Sequence, residues 1–172
     1  ISKEKQEQFV AELKCLRGWA YYVLYDLYGT VPMVPLEIIN DPLTQVAVPR
    51  PSVQEMVSAI EKDLQEAASY LPYRYDSEYG RATKGLANMV LLKLYMHEKN
   101  WAKAEECGRE LMKPEYGYGL VNNYKDIFTL ENEGNVETIW AAICSSSVNQ
   151  QLWQAHVLSS QYPTKNESIQ KW

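Results

Sequence analysis

Residues 3 to 28 contain no proline, and Phe9, Leu13, Leu16, Ala20, Val23 and Leu27 recur there at spacings of four and three. That rhythm puts all six on one stripe of an α-helix. Trp19, Tyr21, Tyr22, Tyr25 and Tyr28 extend the apolar surface beyond the stripe. A helix apolar over so much of its circumference is expected to be buried on more than one side. Gly29 follows as a C-terminal stop, and Pro32 and Pro35 prevent continuation.

The rest of the chain alternates helical patterns with punctuation. Residues 29 to 50 read as a long extended loop, with Asp41-Pro42 and Pro49 as turn signals. A loop of this length inside a compact domain is uncommon and often functional. Ser52 and Glu55 form an S-x-x-E capping box. Val53, Met56, Val57, Ile60, Leu64, Ala67 and Leu71 then repeat at helical spacing up to Pro72. Residues 73 to 82 form a connector containing Tyr and Gly. A third helix is predicted over Thr83–Glu98, with Ala87, Val90, Leu91, Leu94 and Tyr95 as its stripe. Asn100 is the expected N-cap of a fourth, Trp101–Lys113, which packs through Ala104, Cys107, Gly108 and Leu111. Gly117 and Gly119 break the chain. Tyr124–Phe128 reads as one helical turn, and Thr138–Cys144 as a strand or a short buried helix. Beyond Ser145 the Ser/Gln/Asn-rich sequence predicts loop.

These elements pair. The expected fold is mainly all-α: tetratricopeptide-like helix pairs with long loops, one over 3–71 with the loop at 29–50 and one over 83–113, then an irregular region over 114–172. The repeats are degenerate, because Leu92 stands at a usually small position and Asn88 at a usually aromatic one. A helix pair cannot bury its apolar face alone, and about three pairs are usually needed for stability. Two pairs therefore predict a single domain fragment, 1–172, of a larger protein.

Composition excludes several functions. The formal net charge of −5 argues against non-specific nucleic-acid binding and against docking on anionic lipid through a polybasic patch. Cys15, Cys107 and Cys144 show no metal-ligand spacing with His97 or His156, and the first two sit in helical apolar patterns as expected buried thiols. No nucleophile elbow, phosphate loop, zinc helix or dinucleotide fingerprint occurs. Glu105 and Glu106 are adjacent on a helix and face different ways, so they make no acid/base pair. Neither catalysis nor a cofactor or metal is expected.

Four ordered segments carry a resemblance. The first runs from Ala11-Glu12 through Leu16-Arg17-Gly18-Trp19-Ala20-Tyr21-Tyr22 to Leu27-Tyr28-Gly29-Thr30-Val31-Pro32. The second is Gly80-Arg81-Ala82-Thr83-Lys84-Gly85, and the third Tyr124-Lys125-Asp126-Ile127-Phe128. The fourth is Asn132-Glu133 with Glu137-Thr138-Ile139-Trp140. Together they resemble the SusD/RagB family, with Gly18 where Ala is usual. The resemblance implies a non-catalytic glycan-binding subunit at the outward-facing surface of the outer membrane, partnered by a SusC-like TonB-dependent transporter. It implies a membrane connection only through a lipid anchor that is absent from this chain. The motif residues read as scaffold: Gly29 and Gly80 permit positive φ, and Arg17 and Arg81 are placed to pin carbonyls or carboxylates.

Glycan binding needs aromatic rings to stack on sugar faces and polar groups to bond hydroxyls. The aromatic, amide-rich tail is the best local match, with Trp153, His156, Tyr162 and Trp172 as the expected ligand-binding residues. The rival reading is a tetratricopeptide-like adaptor that holds a protein or peptide segment in a helical groove.

Overall fold

The computed structural model describes residues 1–40, 43, 46–74 and 80–142. The chain divides into two compact units, Ile1–Ala141 and Ala142–Trp172, and the described helices belong to the first. Its α-helices are α1 (Lys3–Tyr28), α2 (Leu36–Ile39), α3 (Val53–Tyr70), α4 (Lys84–His97) and α5 (Trp101–Leu111). Short 3-10 turns follow at Pro114–Tyr116, Tyr124–Phe128 and Leu130–Asn132. All regular structure among the described residues is helical, as the periodicity predicts.

Local chemistry sets the helix ends. The Ser52 hydroxyl accepts from Glu55 N at 3.2 Å while the Glu55 carboxylate accepts from Ser52 N at 2.7 Å, a reciprocal box that satisfies two exposed donors. Thr83 caps α4 through Leu86 N, and Asn100 caps α5 through Lys103 N. Gly29 ends α1 at φ 71°, a conformation a side chain would strain. Two expectations need correction. The loop after Gly29 is not wholly extended, because Pro35 starts the single turn α2: Ile38 and Ile39 both donate to the Pro35 carbonyl. The described part of Thr138–Cys144, up to Ala142, is neither strand nor helix. Among the described residues there is no strand for its backbone to pair with. Trp140 anchors it instead, donating from Nε1 to the Gly80 carbonyl at 2.8 Å.

The helices pack in sequence: α1 on α3, α3 on α4, and α4 on α5. Lys14 meets Glu66 and Arg17 meets Asp63, so α1 and α3 run antiparallel. Met56, Ile60 and Leu64 of α3, Leu94 of α4 and Cys15 of α1 are almost fully buried and form the centre of the core. Burial pushes the Cys15 thiol up to about 12, so it is an inert packing group.

The buried face of α1 differs from the one its apolar stripe predicts. Ala11, Cys15, Gly18 and Tyr25 face the core, whereas Phe9, Leu13, Leu16 and Leu27 are exposed. The cause is steric. A Cβ on Gly18 would lie 2.8 Å from Leu64 Cγ, so α1 and α3 approach through small residues and the bulky aliphatic face turns outward.

Charge pairs lock the helices and predict a pH profile. Glu66 is held below its usual range by the hydrogen bond from Lys14. Glu110 is lowered by Lys113, with help from Tyr116. At Glu98 burial pushes upward, but hydrogen bonds from Tyr25 and His97 outweigh it. Carboxylates depressed in the fold add stability that is present above their ordinary value of 4.5 and lost as pH falls through the lower folded values. Burial, reinforced by the Glu98 carboxylate, raises the Tyr25 phenol to about 12; Tyr95 and Tyr116 are also raised, burial again leading. Raised phenols add stability that is lost as pH rises past the ordinary value of 10. The urea midpoint is therefore expected to stay level from about pH 6 to about 9 and to fall on both sides. A midpoint that rises on acidification through pH 4.5 would contradict the role of these pairs.

Candidate functional site

The long loop finds its use beside the α1–α3 seam. Met33, Val34, Pro35 and Ile39 form one wall of an open cleft of about 650 Å³, facing Lys14, Arg17 and Tyr21 of α1 and Ala59, Lys62, Asp63 and Glu66 of α3. This size lies in the range of small-molecule sites. Gly29 turns the chain sharply at the end of α1, and the two prolines after it stiffen the return path along the helix.

The polar side of the cleft is preorganised. Arg17 donates to Asp63 from Nε at 2.6 Å and from an Nη at 2.7 Å, a bidentate fork. The hydrogen bond to Asp63 raises the Arg17 pKa further, so the guanidinium is permanently charged. Asp63 is buried and is held by this pair. Lys14 bonds Glu66 at 2.5 Å and separates the cleft from a smaller hollow of about 330 Å³ that shares both residues and reaches Val10 and Tyr70. The half-buried Tyr21 ring and the exposed Lys62 complete a lining with an apolar wall on one side and charged groups and a phenol on the other. That mixture suits a ligand with apolar faces and hydroxyl edges.

A second cluster, drawn from the motif segments, is structural. Arg81 pairs with Glu12 and lies 5.8 Å over the Phe9 ring. Trp140 packs on Trp19 with ring centroids 5.4 Å apart. Three of the four motif segments thus meet on α1, and both arginines pin carboxylates.

The tail residues Trp153, His156, Tyr162 and Trp172 lie outside the described residues, as does Cys144. Of the cleft residues, sequence reasoning singles out Arg17 as a scaffold group that pins a carboxylate, and none as a ligand contact. The length of the 29–50 loop was the signal that pointed toward them. Among the described residues no group of three His, Cys, Asp or Glu side chains is placed to hold a metal ion, and no helix is long and apolar enough to cross a membrane.

Comparison with known proteins agrees with these features. A profile of SusD-like proteins, described as starch-binding and associating with the outer membrane, matches residues 1–96, a stretch that contains every cleft residue. The SusD-like protein P25 of Formosa agariphila is 31% identical over 142 residues, covering 82% of this chain and 26% of that protein. The starch-binding protein SusD of Bacteroides thetaiotaomicron is 26% identical over 132 residues, covering 73% of this chain and 22% of that protein. Among solved structures, a SusD-like protein of Bacteroides fragilis superposes with a TM-score of 0.74 at 28% identity, covering 83% of this chain and 28% of that one. A laminarin-binding SusD-like protein gives 0.73 at 29% identity, covering 81% and 31%. The chain spans about a quarter of the length of the curated relatives it matches. With the motifs, the helix order and more than half of the chain inside the matched profile, the chain belongs to the SusD-like family.

Proposed function

We propose that this chain is part of a non-catalytic glycan-binding protein that captures a polysaccharide or oligosaccharide at the outward-facing surface of the outer membrane. The intact protein would be lipid-anchored there and would pass its ligand to a SusC-like TonB-dependent transporter. The observation that carries this reading is the match of residues 1–96 to a starch-binding family over the stretch that builds the open cleft. Likeness to a laminarin-binding SusD-like protein supports the same ligand class.

In this reading Tyr21 offers a ring face, the loop wall covers the apolar side of a sugar, and Lys62 bonds hydroxyls. Trp153, His156, Tyr162 and Trp172 are proposed as further ligand contacts from the tail. Isothermal titration of the intact protein against starch, laminarin and other glycans is the test. Tyr21→Ala is expected to weaken binding about tenfold, equivalent to about 1.4 kcal/mol, a magnitude typical of one aromatic contact. Trp153→Ala and Trp172→Ala report on the tail in the same titration. Glycan binding untouched by Tyr21→Ala would remove the cleft from the site. Binding of a peptide pool, with no glycan bound, would replace this reading by the adaptor reading.

A further inference from the structure

We infer that the smaller hollow beside Val10 and Tyr70 is a second sugar subsite, so that the α1–α3 seam holds a linear oligosaccharide laid across the Lys14–Glu66 pair. This rests on the glycan reading of the cleft and adds the path along which the sugar chain runs. The observation is one unbroken row of α1. Lys3, Glu7, Val10, Lys14, Arg17 and Tyr21 follow one another at four, three, four, three and four residues, and the row lines the hollow at one end and the cleft at the other. That alternation keeps all six on one side of the helix. The facing row of α3 is Tyr70, Glu66, Lys62 and Ala59. Because the helices run antiparallel, Tyr70 shares the hollow with Val10, and Ala59 shares the cleft with Tyr21. At 1.5 Å per residue the stretch from Val10 to Tyr21 is about 16 Å long, which a single sugar ring does not fill.

The hollow repeats the chemistry of the cleft. Each has one phenol ring in its lining, Tyr21 in the cleft and Tyr70 in the hollow, and Tyr70 is 62% exposed. Val10 and Ala11 give the hollow an apolar side, as residues 33–39 do for the cleft. Among the described residues neither the Gln6 carboxamide nor the Tyr70 phenol has a hydrogen-bond partner, so each brings a donor and an acceptor to the hollow. The charges there are paired off, Lys3 with Glu7 and Lys14 with Glu66. A neutral ligand edged with hydroxyls therefore fits the hollow better than an anion does. The dividing ion pair is a sill and not a wall, because the Lys14 and Glu66 side chains stay 34% and 40% exposed. Their mutual bond uses one donor of the ammonium and one oxygen of the carboxylate. The remaining donors and oxygen face hydroxyls of a chain passing over them.

The test is isothermal titration of the intact protein with malto- and laminari-oligosaccharides, from the disaccharide to the hexasaccharide. The parent, Tyr70→Ala and Tyr21→Ala are compared, with a urea midpoint on each to check folding. The parent is expected to bind the hexasaccharide of its preferred series about tenfold more tightly than the disaccharide, the gain typical of one further ring contact. Tyr70→Ala is expected to abolish that gain and leave the disaccharide unchanged, whereas Tyr21→Ala weakens binding at every length. A gain kept in full by Tyr70→Ala would overturn the second subsite, since the added sugars would then lie elsewhere. So would an equal loss at all lengths in Tyr70→Ala, or a parent that binds all lengths alike. Binding of no glycan, or binding untouched by Tyr21→Ala at every length, would strike the cleft reading itself and the subsite with it.

Discussion

Gly85→Ala is expected to destabilise the protein by about 2–3 kcal/mol, although alanine is the better helix former by about 1 kcal/mol. The reason is a close approach inside α4. A Cβ at position 85 would lie 1.9 Å from Tyr118 Oη and 2.8 Å from its Cζ. The phenol cannot swing aside cheaply, because its ring stacks on Tyr116 with centroids 5.8 Å apart. Tyr118 Oη is buried without a hydrogen-bond partner. The nearby Thr83 hydroxyl, whose oxygen accepts from Leu86 N, tempers the upward push of burial on the phenol. The contact between residues 85 and 118 is therefore steric, and this separates it from an effect of helix propensity. Urea denaturation of Gly85→Ala, Tyr118→Ala and the double variant checks it. In the Tyr118→Ala background the alanine at 85 is expected to be neutral or stabilising, which gives a coupling of about 2 kcal/mol or more. A stabilising Gly85→Ala in the parent background would show that the approach is absent. Tyr118→Phe removes an unpaired buried hydroxyl and is expected to be close to neutral.

The same residues show what the sequence could and could not reveal. Gly80-Arg81-Ala82-Thr83-Lys84-Gly85 is legible as a motif, and Thr83 as a cap, because caps depend on neighbours within three residues. The need for glycine at 85 depends on Tyr118, which no local pattern connects to it. α3 and α5 are readable for a related reason, since each turns one apolar stripe to the core, whereas α4 is apolar around most of its circumference and buries Leu86, Ala87, Val90, Leu91 and Leu94 on several sides. α1 has two candidate faces. Periodicity favours the larger side chains, but the core takes Ala11, Cys15 and Gly18, because Leu64 demands close approach. Departures from the repeat pattern make sense in three dimensions. Leu92 is bulky where a small residue is usual, and Gly108 faces it, with room for only an ordinary contact of 3.5 Å from a Cβ. For the candidate site, loop length located the region but not its lining, since the wall at residues 33–39 acquires meaning only when folded against Lys14, Arg17 and Tyr21.

Asn88, polar where an aromatic is usual, leads to the prediction with the largest effect. Tyr116→Ala is expected to cost about 3–5 kcal/mol, the range for emptying a large aromatic site in a core. Tyr116 is fully buried although it follows α5 on a 3-10 turn. Asn88 Nδ2 donates to its hydroxyl at 2.8 Å, and the hydroxyl donates to Glu110 Oε1 at 3.0 Å. The ring also meets Tyr73 edge-on at 4.8 Å. The aromatic volume missing from position 88 is thus delivered by the turn at 116, and the amide at 88 is what the incoming phenol requires. Tyr116→Phe keeps the volume and strands the Asn88 amide, at an expected cost of about 1–2 kcal/mol. It also removes one donor from Glu110, so the acid limb of the stability profile should move toward higher pH, because a less depressed carboxylate loses its contribution earlier as pH falls. Urea titration of both variants at neutral and acidic pH measures the two effects separately. If Tyr116→Phe matched Tyr116→Ala, the hydrogen bonds would dominate over packing. If both were near neutral, the turn would not be part of the core.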